Sequence, residues 1–155
     1  MKMESLMSAR ERAASSAFGH GLAILTAMTA AEIFTQASAE QAHGFYLATG
    51  RRLATIVDLT DVQELDDLAA RANALWSGCG LGHVEFEAVD TGIRILHRGA
   101  PAALDGDRAG HWAQLLPALL VGAYDTWFRQ LGSGPALTTR ILREGGDTIE
   151  LHHGG

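Results

Sequence analysis

From Ala13 to Ala31 the chain carries no Asp, Glu, Lys or Arg, and apolar residues fall all round a helical projection. Phe18, Leu22, Leu25 and Thr29 share one face, and Ile24, Met28 and Ala31 another. The pattern predicts a helix over residues 13–34, preceded by a flexible segment at 1–12. A helix apolar on every side cannot face water. It lies in the middle of a domain or is covered by a second subunit, and in so small a chain the second solution gains weight.

Ser38-Ala39-Glu40-Gln41 has the form of a capping box and opens a second helix to about Val57. Its expected buried stripe is Ala42, Phe45, Tyr46, Leu53, Ile56 and Val57. Gly44 and Gly50 each cost about 1 kcal/mol in a helix relative to Ala, which points to close backbone approach of a neighbour. Asp61-Val62-Gln63-Glu64 reads as the cap of a third helix with Val62, Leu65, Leu68, Ala72 and Leu75 inward. Asp67 and Arg71 are spaced to pair, and Gly78 or Gly80 ends the helix.

The period then changes from helical to alternating. Val84, Phe86 and Ala88 alternate with His83, Glu85 and Glu87, Asp90-Thr91-Gly92 turns the chain, and Ile93, Ile95 and His97 alternate with Arg94, Leu96 and Arg98. This predicts a β-hairpin with Glu85 and Glu87 across from Arg94 and Arg98. A polar loop at 99–110 leads to a helix over 117–131, ended by Gly132-Ser133-Gly134-Pro135. A second hairpin pairs residues 137–143 with 148–152 around Gly145-Gly146-Asp147. The expected fold class is α+β in a single domain over 1–155: N-terminal helices, then hairpin, helix and hairpin, with a small antiparallel sheet backed by helices.

Charge changes the picture only in one region. The net charge is −6, and residues 1–60 and 91–155 are each balanced, so the excess comes from 61–90, where Arg71 stands alone against seven carboxylates. Without a Lys/Arg cluster to neutralise phosphates, nucleic acid is excluded as a partner. Cys79 is the only cysteine, so the chain has no intramolecular disulfide, and a free thiol suits a reducing compartment. Ala37-Ser38-Ala39 has the small-x-small form of a signal-peptidase site. The upstream stretch is broken by Gly19, His20 and Gly21, however, and cutting there would start the mature chain inside a helix, so retention is expected.

Catalytic motifs are lacking. There is no Gly-x-Ser-x-Gly elbow, phosphate loop or dinucleotide fingerprint, and Gly78-Cys79-Gly80-Leu81-Gly82 stands between helix and strand, the reverse of a phosphate cradle. His20, His43, His83, His97 and His111 are scattered over five elements. Cys79 and His83 flank a turn, and His152 and His153 point to opposite faces of a strand, so no metal site is expected. Asp105 and Asp107 are expected to solvate their loop, and Trp76, Trp112, Trp127, Tyr46 and Tyr124 to pack in the core. No cofactor is expected.

Several of these residues together resemble a known family. They are Asn73-Ala74-Leu75 with Gly78 and Gly82, the hairpin Val84-Glu85-Phe86-Glu87 to Ile93-Arg94-Ile95-Leu96-His97, Pro101, and Leu120-Val121-Gly122-Ala123-Tyr124-Asp125-Thr126-Trp127. In this order and spacing, over residues 45–152, the chain is similar to the cellulose synthase D-subunit family, accessory subunits of bacterial cellulose synthases. The resemblance implies a non-enzymatic protein that assembles from dimers into a ring-like octamer. Such a protein organises synthase complexes or guides nascent β-1,4-glucan chains into crystalline cellulose. It implies other synthase subunits as partners and Lys2, Met3, Glu4, Ser5 and Leu6 facing glucan, while the apolar first helix itself puts Phe18, Leu22, Leu25 and Met28 at an oligomer interface. The expected location is cytoplasmic beside the inner-membrane synthase, with the periplasm as the alternative. The rival reading is a small-molecule-binding α+β domain, with a pocket inside one subunit lined by aromatics and a histidine such as His20 or His97. A hydrolase built on scattered His and Asp comes last.

Overall fold

A computed structural model of the chain describes the backbone of residues 2–155 and the side chains from residue 8 onward. Four helices, α1 (Lys2–Gln36), α2 (Ala39–Ala54), α3 (Leu65–Cys79) and α4 (His111–Gln130), accompany strands β1 (His83–Val89), β2 (Gly92–Arg98), β3 (Thr138–Gly145) and β4 (Thr148–Gly154). The strands form one antiparallel sheet in the order β1-β2-β4-β3. Both expected hairpins are present, and β2 pairs with β4 along its length, Ile95 opposite Leu151, which fuses them. The fold is α+β, as expected.

The hairpin charges pair as their spacing predicts, Arg94 with Glu87 at 3.1 Å and Arg98 with Glu85 at 3.0 Å. The inward residues of the sheet meet α4, whose buried surface runs from Trp112 to Phe128, and α4 in turn carries α2. The capping box at α2 is made: Gln41 N–H donates to Ser38 Oγ at 3.1 Å and Ser38 N–H to Gln41 Oε1 at 2.9 Å.

Four expectations are corrected. First, α1 begins at Lys2 rather than Ala13, so residues 2–12 continue the helix. Second, α2 buries Ala42, Tyr46, Gly50 and Ala54, while Phe45 and Ile56 point out at 54% and 70% exposure. The reason is Gly50. A Cβ there would stand 1.9 Å from the Leu119 carbonyl oxygen, and one at Gly122 2.1 Å from that of Leu47, so α2 and α4 touch backbone to backbone along this glycine line. Gly44, expected to do the same, has open space around it.

Third, α3 is capped by Glu64 with Asp67, not by Asp61. Asp67 accepts from the Gln63 and Glu64 amides, which holds its carboxyl below the usual range, and Arg71 turns to the carbonyls of Asp58 and Thr60 instead of pairing with it. Gly80, at φ +66°, ends the helix. Fourth, α4 starts at His111, ahead of Pro117, which lies inside it. Asp107 reaches across the loop and accepts from the amides of His111 (3.0 Å) and Trp112 (2.8 Å), donors that glycine at the N-cap leaves bare. Asp107 is thus a helix cap rather than a loop-solvating side chain.

Candidate functional site

The largest unfilled demand for burial is on α1. At 1.5 Å per residue its 35 residues reach about 52 Å, far longer than any other element. Its C-terminal third is seated on the domain through Ala27 and Ala30, which are buried, and Phe34, which stacks on His111 with ring centroids 4.1 Å apart. Residues 9–20 are exposed on every side. Phe18 (69% exposed), Leu22, Leu25 (62%) and Met28 recur at helical spacing and form an apolar stripe open to solvent, with Ile24 beside it. Phe18, Leu22 and Leu25 share the face read from the sequence, and Met28, placed there on another face, is exposed as well. The side chains of Lys2, Met3, Glu4, Ser5 and Leu6 lie outside the described residues.

The loop at 99–110 props this helix. His20 Nδ1 lies 3.2 Å from Asp105 Oδ2, and the Met28 side chain rests on Gly106. By length and composition Ser8–Gln36 is apolar enough to cross a membrane, and 11% of that window is buried in the subunit.

The groups that carry chemistry elsewhere are spent on packing. His97 is 1% exposed, with Nδ1 2.6 Å from the Tyr124 hydroxyl and Nε2 2.6 Å from the Leu81 carbonyl. The carbonyl can only accept, so Nε2 carries the proton and Nδ1 accepts from Tyr124. Burial pushes the His97 pKa down to about 4 and that of Tyr124 well up, so both are neutral. His153 stacks on Phe128 at 4.6 Å, and its Nδ1 is 2.8 Å from Thr139 Oγ1, whose hydroxyl donates to Asp125 at 3.1 Å. Burial lowers the His153 pKa. His152 Nε2 is 3.0 Å from Thr91 Oγ1.

Trp76, Trp112, Trp127, Tyr46 and Tyr124 are core residues, as expected. Cys79 is a free, exposed thiol. Among the described residues, no three His, Cys, Asp or Glu side chains are grouped to hold a metal ion. The recess lined in part by His97 is about 130 Å³, too small for a drug-sized ligand. His20, the other pocket histidine considered, sits on the exposed arm of α1.

Comparison with protein families gives a match to the D subunit of cellulose synthase over residues 7–154. The chain belongs to the cellulose synthase D-subunit family. It therefore has a role in cellulose synthesis as a subunit accompanying the other synthase subunits. The match takes in nearly all of α1, which the motifs in the hairpin and α4 do not reach. A comparison with curated proteins found no match.

The residues that carry the family motifs are joints of the fold. Asn73 clamps the edge of β1, donating to the Val84 carbonyl at 3.0 Å and accepting from its amide at 2.7 Å. Gly122 admits α2, Tyr124 holds His97, and the Trp127 indole donates to the Ala54 carbonyl at 3.0 Å, tying the end of α2 to α4. Sequence reasoning missed Asp107 and the Asp125-Thr139-His153 chain. Their partners are remote or follow from strand register, and only the two helical glycines offered a signal for the α2–α4 contact.

Proposed function

We propose that this chain is a non-enzymatic, homo-oligomeric accessory subunit of bacterial cellulose synthesis and secretion. It assembles from dimers into a higher oligomer, an octamer, and holds synthase units or separate glucan chains at fixed spacing so that they meet in register. The observation that carries this reading is the apolar stripe Phe18, Leu22, Leu25 and Met28 on an arm without a partner inside the subunit. Half-burying four such side chains contributes about 5 kcal/mol per subunit, which is enough to stabilise a dimer once paired with a second copy. Nascent β-1,4-glucan is the second ligand of the assembly, contacted through the region of Lys2 to Leu6. Family membership supports the synthase context, and the engagement of the buried histidines in the core supports a role without catalysis.

We place the assembly on the cytoplasmic side of the inner-membrane synthase, where an exposed free thiol at Cys79 stays reduced. Cell fractionation with a compartment-specific thiol label tests this; labelling only by reagents confined to the periplasm refutes it. The function is tested by deleting the gene and replacing it with a Leu25→Glu variant. Expected are lower cellulose crystallinity in both strains and loss of high-mass species on light scattering for the variant. Unchanged yield and crystallinity in the deletion strain overturn the proposal.

A further inference from the structure

The face of the sheet turned away from α4 carries charge, and strand register sets its pattern. Glu85, Leu96, Glu150 and Arg143 lie side by side across β1, β2, β4 and β3, with Glu87, Arg94, His152 and Arg140 as the next row. Arg143 reaches this face only through an irregularity in β3. The register shifts between Ile141 and Arg143, and the extra residue, Leu142, is exposed. In regular pairing Leu142 would stand opposite Glu150, and Arg143 would turn to the α4 side opposite Ile149. A bulge of this kind re-aims a side chain.

Arg94, Arg98 and Arg143 frame a hollow of about 260 Å³, with Leu96 and Glu150 in its lining. The three arginines come from strands far apart in the chain, so no basic run marks them in the sequence. Glu150 is their anchor. Its carboxylate, with the side chain 11% exposed, accepts from Arg94 Nε at 2.8 Å and Arg143 Nη2 at 2.7 Å, and these bonds hold its carboxyl below the usual range. Arg94 also meets Glu87 at 3.1 Å, and Arg98 meets Glu85 at 3.0 Å, but both carboxylates stand on the edge strand with side chains 59% and 60% exposed. Ion pairs so exposed are weak and yield to a stronger anion. A guanidinium has five N–H donors, and these contacts leave most of them uncommitted among the described residues.

The lining thus sets three positioned guanidiniums against one carboxylate. A planar carboxylate is satisfied by a single guanidinium fork, whereas a tetrahedral dianion presents oxygens to donors on several sides. We propose that this hollow binds a phosphate dianion, borne by a small phosphate ester or by a lipid headgroup. The site is separate from the stripe on α1 and does not depend on the assembly proposed above.

The test uses full-length protein, isothermal titration with inorganic phosphate and with pyrophosphate, and co-sedimentation with phosphatidylcholine vesicles with and without phosphatidic acid. Saturable binding of a soluble probe assigns a small ester, and binding only to vesicles that contain phosphatidic acid assigns a headgroup. Arg98→Gln and Arg143→Gln are each expected to weaken that binding about tenfold to hundredfold. Arg143→Lys keeps the charge without the fork and weakens it less, and Arg108→Gln, at an exposed arginine in the loop before α4, leaves it unchanged. Glu85→Gln combined with Glu87→Gln removes the competing carboxylates and tightens binding up to about fivefold, a gain that a merely structural role would not produce. These side chains lie at the surface, so the thermal unfolding midpoint stays near the wild-type value. If no probe binds saturably, or if Arg98→Gln and Arg143→Gln bind as wild type does, the inference fails and the proposed function stands. Loss of oligomer mass in these two variants, with no saturable binding by wild type, assigns the face to a contact between subunits and overturns the inference as well.

Discussion

Alanine at Gly50 and at Gly44 separates backbone contact from helix propensity within one helix. Each substitution gains about 1 kcal/mol of intrinsic helix preference. At Gly44 nothing lies within 4 Å of the new methyl, so that gain is realised. At Gly50 the methyl would sit 1.9 Å from the Leu119 carbonyl oxygen and 2.8 Å from its carbon, where ordinary contact begins at 3.4 Å. Backbone atoms cannot rotate away, so α2 and α4 must separate by about 1.5 Å, which forfeits about half or more of the dispersion across the contact. Overpacking of this kind costs about 3 kcal/mol, leaving Gly50→Ala about 2 kcal/mol less stable than wild type. In thermal unfolding at matched subunit concentration, Gly50→Ala is expected to melt about 4–8 °C lower and Gly44→Ala about 2–4 °C higher. Gly122→Ala repeats the loss from the other side, and the double variant with Gly50→Ala loses less than the sum, since one separation of the helices serves both. If Gly50→Ala melts at or above wild type, the backbone contact between α2 and α4 is wrong.

Acid is expected to destabilise the fold through His97. Its pKa is about 4 when folded and 6.5 ordinarily, so the unfolded chain takes up the proton first. About 3 kcal/mol of stability, complete above pH 6.5, is lost as pH falls through 4, and His153, also lowered, adds to the loss. Urea midpoints that stay level from pH 7.5 to 4.5 contradict this. Asp107→Ala bares the first amides of α4 and is expected to cost about 1–2 kcal/mol, read as faster hydrogen exchange at His111 and Trp112; unchanged exchange there refutes the cap. Trp127→Phe keeps an aromatic ring, though a smaller one, and leaves the buried Ala54 carbonyl without a donor, for an expected loss of about 1–3 kcal/mol by urea denaturation; a wild-type midpoint refutes the bond.

Much of this protein is legible locally. Alternation of period two with glycine-containing turns located both hairpins, and the Glu85 and Glu87 pairings followed from their register. Ser38 and Gln41 announced the start of α2, and the uncharged run after Ala13 announced an element in need of cover. The motif around Tyr124 and Trp127 pointed to the family, and its agreement with residues 7–154 confirms that reading. These signals reach only a few residues along the chain, the range over which caps, turns and side-chain periodicity act.

Other features were decided by surfaces meeting from distant parts of the sequence. Phe45 has the composition of a core residue and faces water, while Gly50 is buried, because the backbone of α4 comes up against that side of α2. Pro117 is a natural first residue for a helix, but Asp107 starts α4 earlier by capping amides it reaches only once the loop has folded. The sheet is one rather than two because β2 lies beside β4, a pairing whose partners are fifty or more residues apart. Periodicity specifies which side chains want burial, and complementarity between remote backbones selects which of them obtain it.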